Sequence, residues 1–464
     1  MLLSDNTIAN IIQKGLDKQA DFVEIFAENK LINDMFYQND RLENANLGVE
    51  AGIGIRLLYG TESIYLTSNS FEEKDLIALI DTYKRNSGSE SNTNYKPSPA
   101  KKVEPSYIRY RDIPSDQSYK SRMEFMETIA KKSKEQSSLV QQVEVKTSFH
   151  LQEVQIANSE GLHLFDTRPY TSYLGQCISR NEKDQEMGFQ RGGSMTDLSL
   201  FEKGFDPEAI AKKITDQSIR LLDAEFAPAG EMPVILSNGF GGVIFHEACG
   251  HGLETTSVAA DASVFCGQLD KQVASSVVTA IDDGTIDSSW GSIHVDDEGM
   301  KTQKTTLIEN GILKRYIVDR VGHLKTGFER TGSGRRESYK FAPTSRMRNT
   351  YIAAGDSSLE EMIRDVDFGL YATDMGGGSV SPGTGDYNFA VKEGRVIRNG
   401  KLEELVKGAS LIGRGIDTLK KIDKVGNDIE LANGTCGSSS GWVPVTVGQP
   451  SLLVSKLTVG GRAS

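Results

Sequence analysis

The stretch Pro233-Val234-Ile235-Leu236-Ser237-Asn238-Gly239-Phe240-Gly241-Gly242-Val243-Ile244-Phe245-His246-Glu247-Ala248-Cys249-Gly250-His251 decides the reading of this chain. Its first four residues predict a short strand, Ser237-Asn238-Gly239 a cap, and the run that follows one helix. Upstream, Ala227-Pro228-Ala229-Gly230 reads as a linker and places a division between residues 1–226 and 227–464. Downstream come short strands separated by glycine pairs. Asp283-Gly284, Asn310-Gly311 and Asn399-Gly400 are the strongest hairpin signals there. Only 12 of the 46 glycines precede residue 227, so tight turns concentrate in the second half. The expected fold class is α+β. An N-terminal α/β domain of helices and strands is followed by a large, glycine-rich, mainly antiparallel β domain that carries the histidine-bearing helix.

In the first half, Ile8, Ile11, Ile12 and Leu16 share one helical face, with Gly15 its weak point. Residues 20–27 read as a strand, and 48–59 with 63–67 as a hairpin turning at Gly60-Thr61. Ser70-Phe71-Glu72-Glu73 has the capping-box pattern and opens a helix through Leu76 and Ile80. Residues 86–105 are rich in Ser, Asn and Pro and read as a surface loop. A helix near 115–136 precedes long strands over 139–180. Another helix covers 206–224, with Ile210, Ile214, Ile219 and Leu222 as its buried face.

The chain has 464 residues, a formal net charge of -12, 38% hydrophobic and 25% charged residues. That is ordinary globular usage and excludes a disordered chain. The acidic balance argues against direct nucleic-acid binding. No apolar run approaches the roughly 18 residues of a membrane span. The start, Met1-Leu2-Leu3-Ser4-Asp5, lacks a basic n-region, so no secretory signal is expected. Cys177, Cys249, Cys266 and Cys436 read as a reduced set, which with the other features predicts a cytoplasmic location.

The chemistry sits in His246-Glu247-Ala248-Cys249-Gly250-His251. The familiar zinc-protease pattern spaces two histidines four apart on one helical face. Here they are five apart, roughly 140° around a regular helix. A two-histidine site therefore demands a non-standard helix, for which a π-bulge is the first expectation and Gly250 a cheap point of distortion. Catalytic zinc takes three protein ligands and keeps one position open. The third ligand is open between a Cys, another His and a carboxylate. Cys436, in the glycine-flanked segment Asn433-Gly434-Thr435-Cys436-Gly437, reads as a loop residue and a candidate. Glu247 would act as general base, taking a proton from zinc-bound water as it attacks a carbonyl. Cys249, Cys177 and Cys266 read as packed thiols, and His150, His163, His294 and His323 as structural or exposed. Gly376-Gly377-Gly378 lacks the Lys-Ser or Lys-Thr of a phosphate loop and suggests a β-turn or close approach to a substrate backbone. Arg335-Arg336-Glu337 reads either as a local salt-bridge set or, with that glycine run, as a holder for a peptide carboxylate. Asp296-Asp297-Glu298-Gly299 lacks the spacing of a calcium loop.

The run from Gly241 to Glu254 resembles the signature of the TldD/PmbA metalloproteases, whose older label is modulator of DNA gyrase. Ordered blocks agree: Val295–Gly299, Leu307–Gly311, Gly334–Tyr339, Arg346–Tyr351, Gly376–Gly378, Val406–Gly413 and Val443–Pro450. The resemblance spans 227–464 and, more loosely, the first half. It implies a TldD-type active subunit in which His246, His251 and Cys436 bind one zinc ion and Glu247 is catalytic. PmbA-type chains generally lack these ligands. Cys249 departs from the small apolar residue expected there. The resemblance further implies hydrolysis of unfolded or short peptides inside a dimer cavity, as a homodimer or with a PmbA-type partner, with no direct contact to nucleic acid. The competing readings are a non-catalytic scaffold or modulator subunit, a cysteine hydrolase built on Cys436, and a DNA-binding modulator.

Overall fold

The computed structural model describes residues 2–83, 101–103, 116–381 and 383–461. The first part is built on a seven-stranded sheet. In spatial order its strands are Glu62–Ser68, Arg41–Tyr59, Phe22–Gln38, Val140–Asn158 and His163–Arg180, each antiparallel to its neighbour. Gln185–Ser194 and the short Lys101–Lys102 both pair with His163–Arg180. Apart from residues 101–103, the stretch read as a loop over 86–105 lies outside the described residues.

Helices cover this sheet where the apolar pattern demands it. Asp5–Asp17 buries Ile8, Ile11 and Ile12 among Val23, Ile25, Ile53 and Leu57. Gly15 is needed there, because a Cβ would stand 2.7 Å from Val23 Cγ2. Asp116–Gln136 and Pro207–Leu222 pack Phe125, Met126, Ile129, Ile210 and Ile214 onto Val143, Val145, Tyr173 and Cys177. Ile219 is only half-buried, and Leu221 is buried beside Leu222. The capping box at Ser70 does not form. Ser70 Oγ instead donates to Asp75 and accepts from the Glu72 N–H, and the helix Glu73–Thr82 starts after Glu72.

Two strands are far longer than the sequence predicts. Phe22–Gln38 and Arg41–Tyr59 pair along their whole length around Asn39-Asp40, both at positive φ (52° and 59°). Such angles suit the right-handed twist of a two-residue hairpin. Polar residues interrupt the apolar alternation of Leu31, Met35 and Tyr37 and so hide the length of this ribbon.

From Glu225 onward two sheets interlock. One has the order Ile312–Leu313, Lys304–Glu309, Ala280–Asp283, Asn349–Ile352, Gly441–Gln449, Glu430–Ser438. In the other, Phe368–Ser381, Gly230–Leu236, Leu452–Gly460, Ala409–Arg414 and Asp386–Arg398 close into a ring, because the first and last also pair. Closure removes exposed sheet edges where strands pair, but Phe368–Ser381 meets Gly230–Leu236 only at residues 370–372. Pairing is mainly antiparallel, with parallel exceptions such as Asn349–Ile352 against Gly441–Gln449. Glu225–Phe226 pairs with Lys401–Lys407, so residues just before the expected division belong to the second sheet. Asn310-Gly311 and Asn399-Gly400 are tight turns at positive φ. Asp283-Gly284 is not a hairpin. Asp283 accepts from the Thr285 N–H and hydroxyl, and the chain leaves the sheet until Lys304.

The excursion 284–303 delivers the acidic run to the boundary between the two parts. Buried Arg56 bonds Glu24 at 2.6 Å and Glu298 at 2.7 Å. Arg336 reaches Glu24 at 2.7 Å, Arg168 joins Asp166 and Asp297, and Arg330 joins Glu298 at 2.8 Å. Burial would raise the Glu298 carboxyl, but Arg56 and Arg330 hold it below the usual carboxylate range. Replacing Arg56 by Met leaves Glu24 and Glu298 short of a partner in the interior. The expected loss is roughly 3–5 kcal/mol of stability, read as a fall in the denaturant midpoint; an unchanged midpoint would contradict the network's role.

Candidate metal centre

The histidine helix is short and tightly seated. The 3₁₀ turn Gly239–Gly242 leads into the α-helix Val243–Ala248. A Cβ on Gly242 would lie 2.6 Å from the Gly448 carbonyl oxygen, and one on Gly241 2.5 Å from Gln449 Nε2. Glycine alone lets this turn rest on the backbone of the Gly441–Gln449 strand. That strand pairs with Glu430–Ser438, setting Cys436 opposite Val443. Cys436 therefore sits in a strand, not in the loop its flanking glycines suggest.

The five-residue spacing is met by a break, not by a π-bulge. The helix ends at Ala248, Cys249 takes φ −128° and ψ −48°, and Gly250–Leu253 forms a 3₁₀ turn. Gly250 is required by contact, since its Cβ would come within 2.2 Å of Met347 Sδ. The break turns the two imidazoles toward each other, with ring centres 5.3 Å apart and planes nearly perpendicular. Ligand atoms of His246, His251 and Cys436 all lie within 4.8 Å of one another. Cys436 Sγ is 3.2 Å from His251 Nε2. Glu247, half-buried, brings Oε2 to 3.6 Å from the same nitrogen.

The donor set fits a metal ion. His246 is buried, yet neither ring nitrogen has a hydrogen-bond partner. Leaving such groups unsatisfied in the interior is costly. His251 is differently placed: its Nδ1 meets Glu254 Oε2 at 3.0 Å, which leaves Nε2 to face the cluster. Glu254 is itself buried, and its other oxygen accepts from the Met347 N–H. A carboxylate behind a histidine in this way fixes its tautomer and orientation. Burial would lower the His251 pKa, but Glu254 and Cys436 raise it well above its ordinary value. Burial would likewise raise the Cys436 thiol, but the His246 and His251 imidazoles bring it down to about 4. Cys, His, His with a thiolate is a borderline-soft set suited to zinc.

Arg346 holds the hairpin that carries Cys436. Fully buried, it donates to the Cys436 carbonyl at 2.6 Å, to Ser440 Oγ and to the Gly441 carbonyl. Sequence reasoning missed both Arg346 and Glu254. For Glu254 a signal existed, its position three residues beyond His251; for Arg346 there was none.

The other candidates lie elsewhere. Cys249 packs against Gly415 in the main core, where burial pushes its thiol far up. Cys177 is buried, and Cys266 half-buried. Arg335 donates to the Met347 and Pro444 carbonyls, and Arg336 to Tyr65, Glu24 and the Asp297 carbonyl. Both arginines also line a cavity of about 340 Å³ with Arg168, Trp290, Thr435 and Trp442. Gly376-Gly377-Gly378 forms an irregular stretch of the Phe368–Ser381 strand, not a β-turn. Its neighbour Gly230–Leu236 pairs with it only at residues 370–372, and Gly377 and Gly378 are exposed. Asp296, Asp297 and Glu298 are taken up by the arginine network and by backbone N–H groups. His294 bonds Asp166, and His323 the Phe328 carbonyl.

Three family models match in order: PmbA/TldA metallopeptidase domain 1 over residues 23–87, the central domain over 112–222 and the C-terminal domain over 229–461. These models define a family of metallopeptidases. The chain belongs to the TldD/PmbA family. It is 31% identical over 477 residues to the metalloprotease TldD homolog of Buchnera aphidicola, covering 99% of this chain and 96% of that protein. It is 32% identical to the Haemophilus influenzae homolog, covering 99% and 97%. A zinc metalloprotease TldD homolog of Saccharolobus solfataricus is 27% identical, covering 97% and 99%. The fold is shared with a Thermotoga maritima protein described as a modulator of a DNA gyrase (TM-score 0.77, 19% identity, 98% and 99% covered). It is also shared with TldE of Thermococcus kodakarensis (TM-score 0.74, 18% identity, 98% and 100% covered). Among the described residues no helix is long and apolar enough to cross a membrane.

Chelator-treated protein should hold Cys436 as a thiolate through neutral pH, protonating near pH 4. Ultraviolet thiolate absorbance, wild type against Cys436→Ser, reads this directly. Equal absorbance in the two proteins at pH 7 would refute the assignment.

Proposed function

We propose that this chain is a zinc-dependent peptidase whose ion is held by His246, His251 and Cys436. The observation that carries the reading is the convergence of these ligand atoms around a buried His246 with no other partner. Bound there, zinc would polarise a peptide carbonyl and acidify water. Glu247, beside His251, takes the proton of the attacking water and returns it to the leaving amine. Glu254 orients His251 through Nδ1, and Arg346 fixes the backbone at Cys436.

The substrate is an unfolded or short peptide. An extended chain adds to a sheet through main-chain hydrogen bonds that ignore side-chain identity. The open edge of Phe368–Ser381 beyond residue 372, with Gly376, Gly377 and Gly378, is where we place it. Arg335 and Arg336 already serve the interior and act on substrate only through the wall of the cavity they line. The protein works in the cytoplasm as a dimer that encloses the site, with a second copy or a PmbA-type chain. Its two domains divide near Ala227, the first sheet standing on one side and the ring on the other.

Elemental analysis should find about one zinc per chain, lost in His246→Ala and in Cys436→Ser. Little zinc in reduced wild type would favour a scaffold subunit. Glu247→Gln should keep the zinc and lose roughly 10²–10⁴-fold in peptide hydrolysis. Glu254→Ala should weaken zinc binding by roughly 10–100-fold; competition with a chromophoric chelator measures it, and unchanged affinity would remove Glu254 from the site.

A further inference from the structure

We propose that the cavity between the first sheet and the hairpin of Glu430–Ser438 and Gly441–Gln449 binds the anionic group of a small ligand, a carboxylate or a phosphate, on Arg335 and Tyr170. The site is separate from the candidate metal centre and does not depend on the peptidase reading. Side chains alternate along a strand, so the hairpin carries Cys436 on one face and Thr435, which lines this cavity, on the other.

The cavity measures about 340 Å³ and is lined by Lys30, Arg168, Arg335 and Arg336 against two carboxylates, Asp297 and Glu337. Two of these cations are already neutralised. Arg168 joins Asp166 and Asp297, and Arg336 joins Glu24. Glu337 accepts from the Trp442 N–H. Arg335 is different. It is 3% exposed, and among the described residues no carboxylate lies within ion-pair distance of it. Its partners are the Met347 and Pro444 carbonyls, which take two of the five N–H donors of a guanidinium. Burial lowers the Arg335 pKa. At Arg168 and Arg336 the same burial is overcome, by Asp297 at the one and by Tyr65 and Glu24 at the other. A buried cation without a counter-charge is costly, and the guanidinium fork matches a carboxylate or a phosphate. An anion in this cavity supplies the counter-charge.

A second polar group points to the same ligand. Tyr170 lines the cavity and is 7% exposed, yet among the described residues its hydroxyl has no hydrogen-bond partner. Burial raises its phenol pKa, and Arg335 and then Arg168 oppose the rise, so both cations stand close to it. Buried hydroxyls are normally hydrogen-bonded. This one can donate to an oxyanion held by Arg335. Its ring packs edge-on against Trp290, 5.4 Å between centres, and Trp290 donates Nε1–H to the Gly434 carbonyl at 2.8 Å. Trp290 also lines an adjoining cavity of about 240 Å³, where Lys146 and Arg191 stand. These two cations lie over the rings of Phe36 and Phe240, and neither has a carboxylate within ion-pair distance among the described residues. The approach is thus cationic on a chain whose net charge is -12. Such a field draws anions in.

The chain's two tryptophans, Trp290 and Trp442, both line the cavity, so intrinsic fluorescence reports binding there. Titration with inorganic phosphate, at ionic strength held constant with chloride, should give a saturable change. Arg335→Met should weaken that binding by roughly 10–100-fold, and Tyr170→Phe by roughly 2–10-fold. Tyr170→Phe removes only an oxygen without a partner among the described residues, so it carries the test if Arg335→Met fails to fold. The source of the anion is read on the Glu247→Gln chain with N-acetyl-trialanine and its C-terminal amide. Tighter binding of the acid assigns the site to the carboxyl end of a peptide. Phosphate binding with no preference for the acid assigns it to a free phosphate. No saturable change with phosphate or with the acid overturns the proposal. So does phosphate binding that neither substitution weakens, or a response to both peptides alike with none to phosphate.

Discussion

The centre of this protein depends on a glycine pressed against a strand. Gly242 lies so close to the Gly448 carbonyl that no side chain fits between them. Gly242 follows directly from a strand of the closed ring, and Gly448 belongs to the open six-stranded sheet. The contact locks the two β structures together and fixes the height at which the histidine helix leaves. One strand further, the same sheet carries Cys436. A residue with a Cβ at position 242 would lift the helix away from the hairpin, and the three candidate ligand atoms would no longer converge.

The site also shows how an awkward spacing is resolved. Histidines five apart need a device to face one another. This chain ends its helix after Ala248 and turns through Cys249 into a 3₁₀ segment. Gly250 permits the turn because Met347 occupies the space of its missing side chain. Met347 in turn donates its N–H to Glu254, and Arg346, one residue earlier, grips the Cys436 backbone. A single segment thus supports both the histidine and the cysteine sides of the site.

A second level of organisation is electrostatic. Buried charges at the boundary between the N-terminal sheet and the rest are bound to one another. Such networks are poor sources of net stability compared with apolar packing, but removing one member is expensive. That asymmetry makes the boundary specific. It explains why Arg336, for which a substrate-binding role was the alternative reading, is committed to Glu24. It also explains why the acidic run 296–298 binds arginines.

The sequence by itself determined the α+β class, the four long helices of the first half and two of three glycine hairpins, and it singled out His246, Glu247 and His251 as candidates, because each follows from local pattern. Apolar periodicity and turn residues act over a few neighbours, and family resemblance added Cys436. The rest needed the tertiary structure. The ribbon over residues 28–47 keeps only a broken apolar alternation, Leu31, Met35 and Tyr37 on one face among polar residues, so its full pairing is legible only in three dimensions. Asp283-Gly284 has hairpin chemistry, but the contacts Gly284 makes with Thr302 and Arg348 lead the chain elsewhere. The helix break, the pairing of Glu254 with His251 and the hold of Arg346 on Cys436 join residues far apart in the chain or set by a rare backbone angle. Such contacts are chosen by packing and by the need to satisfy buried polar groups, and neither leaves a periodic trace in sequence.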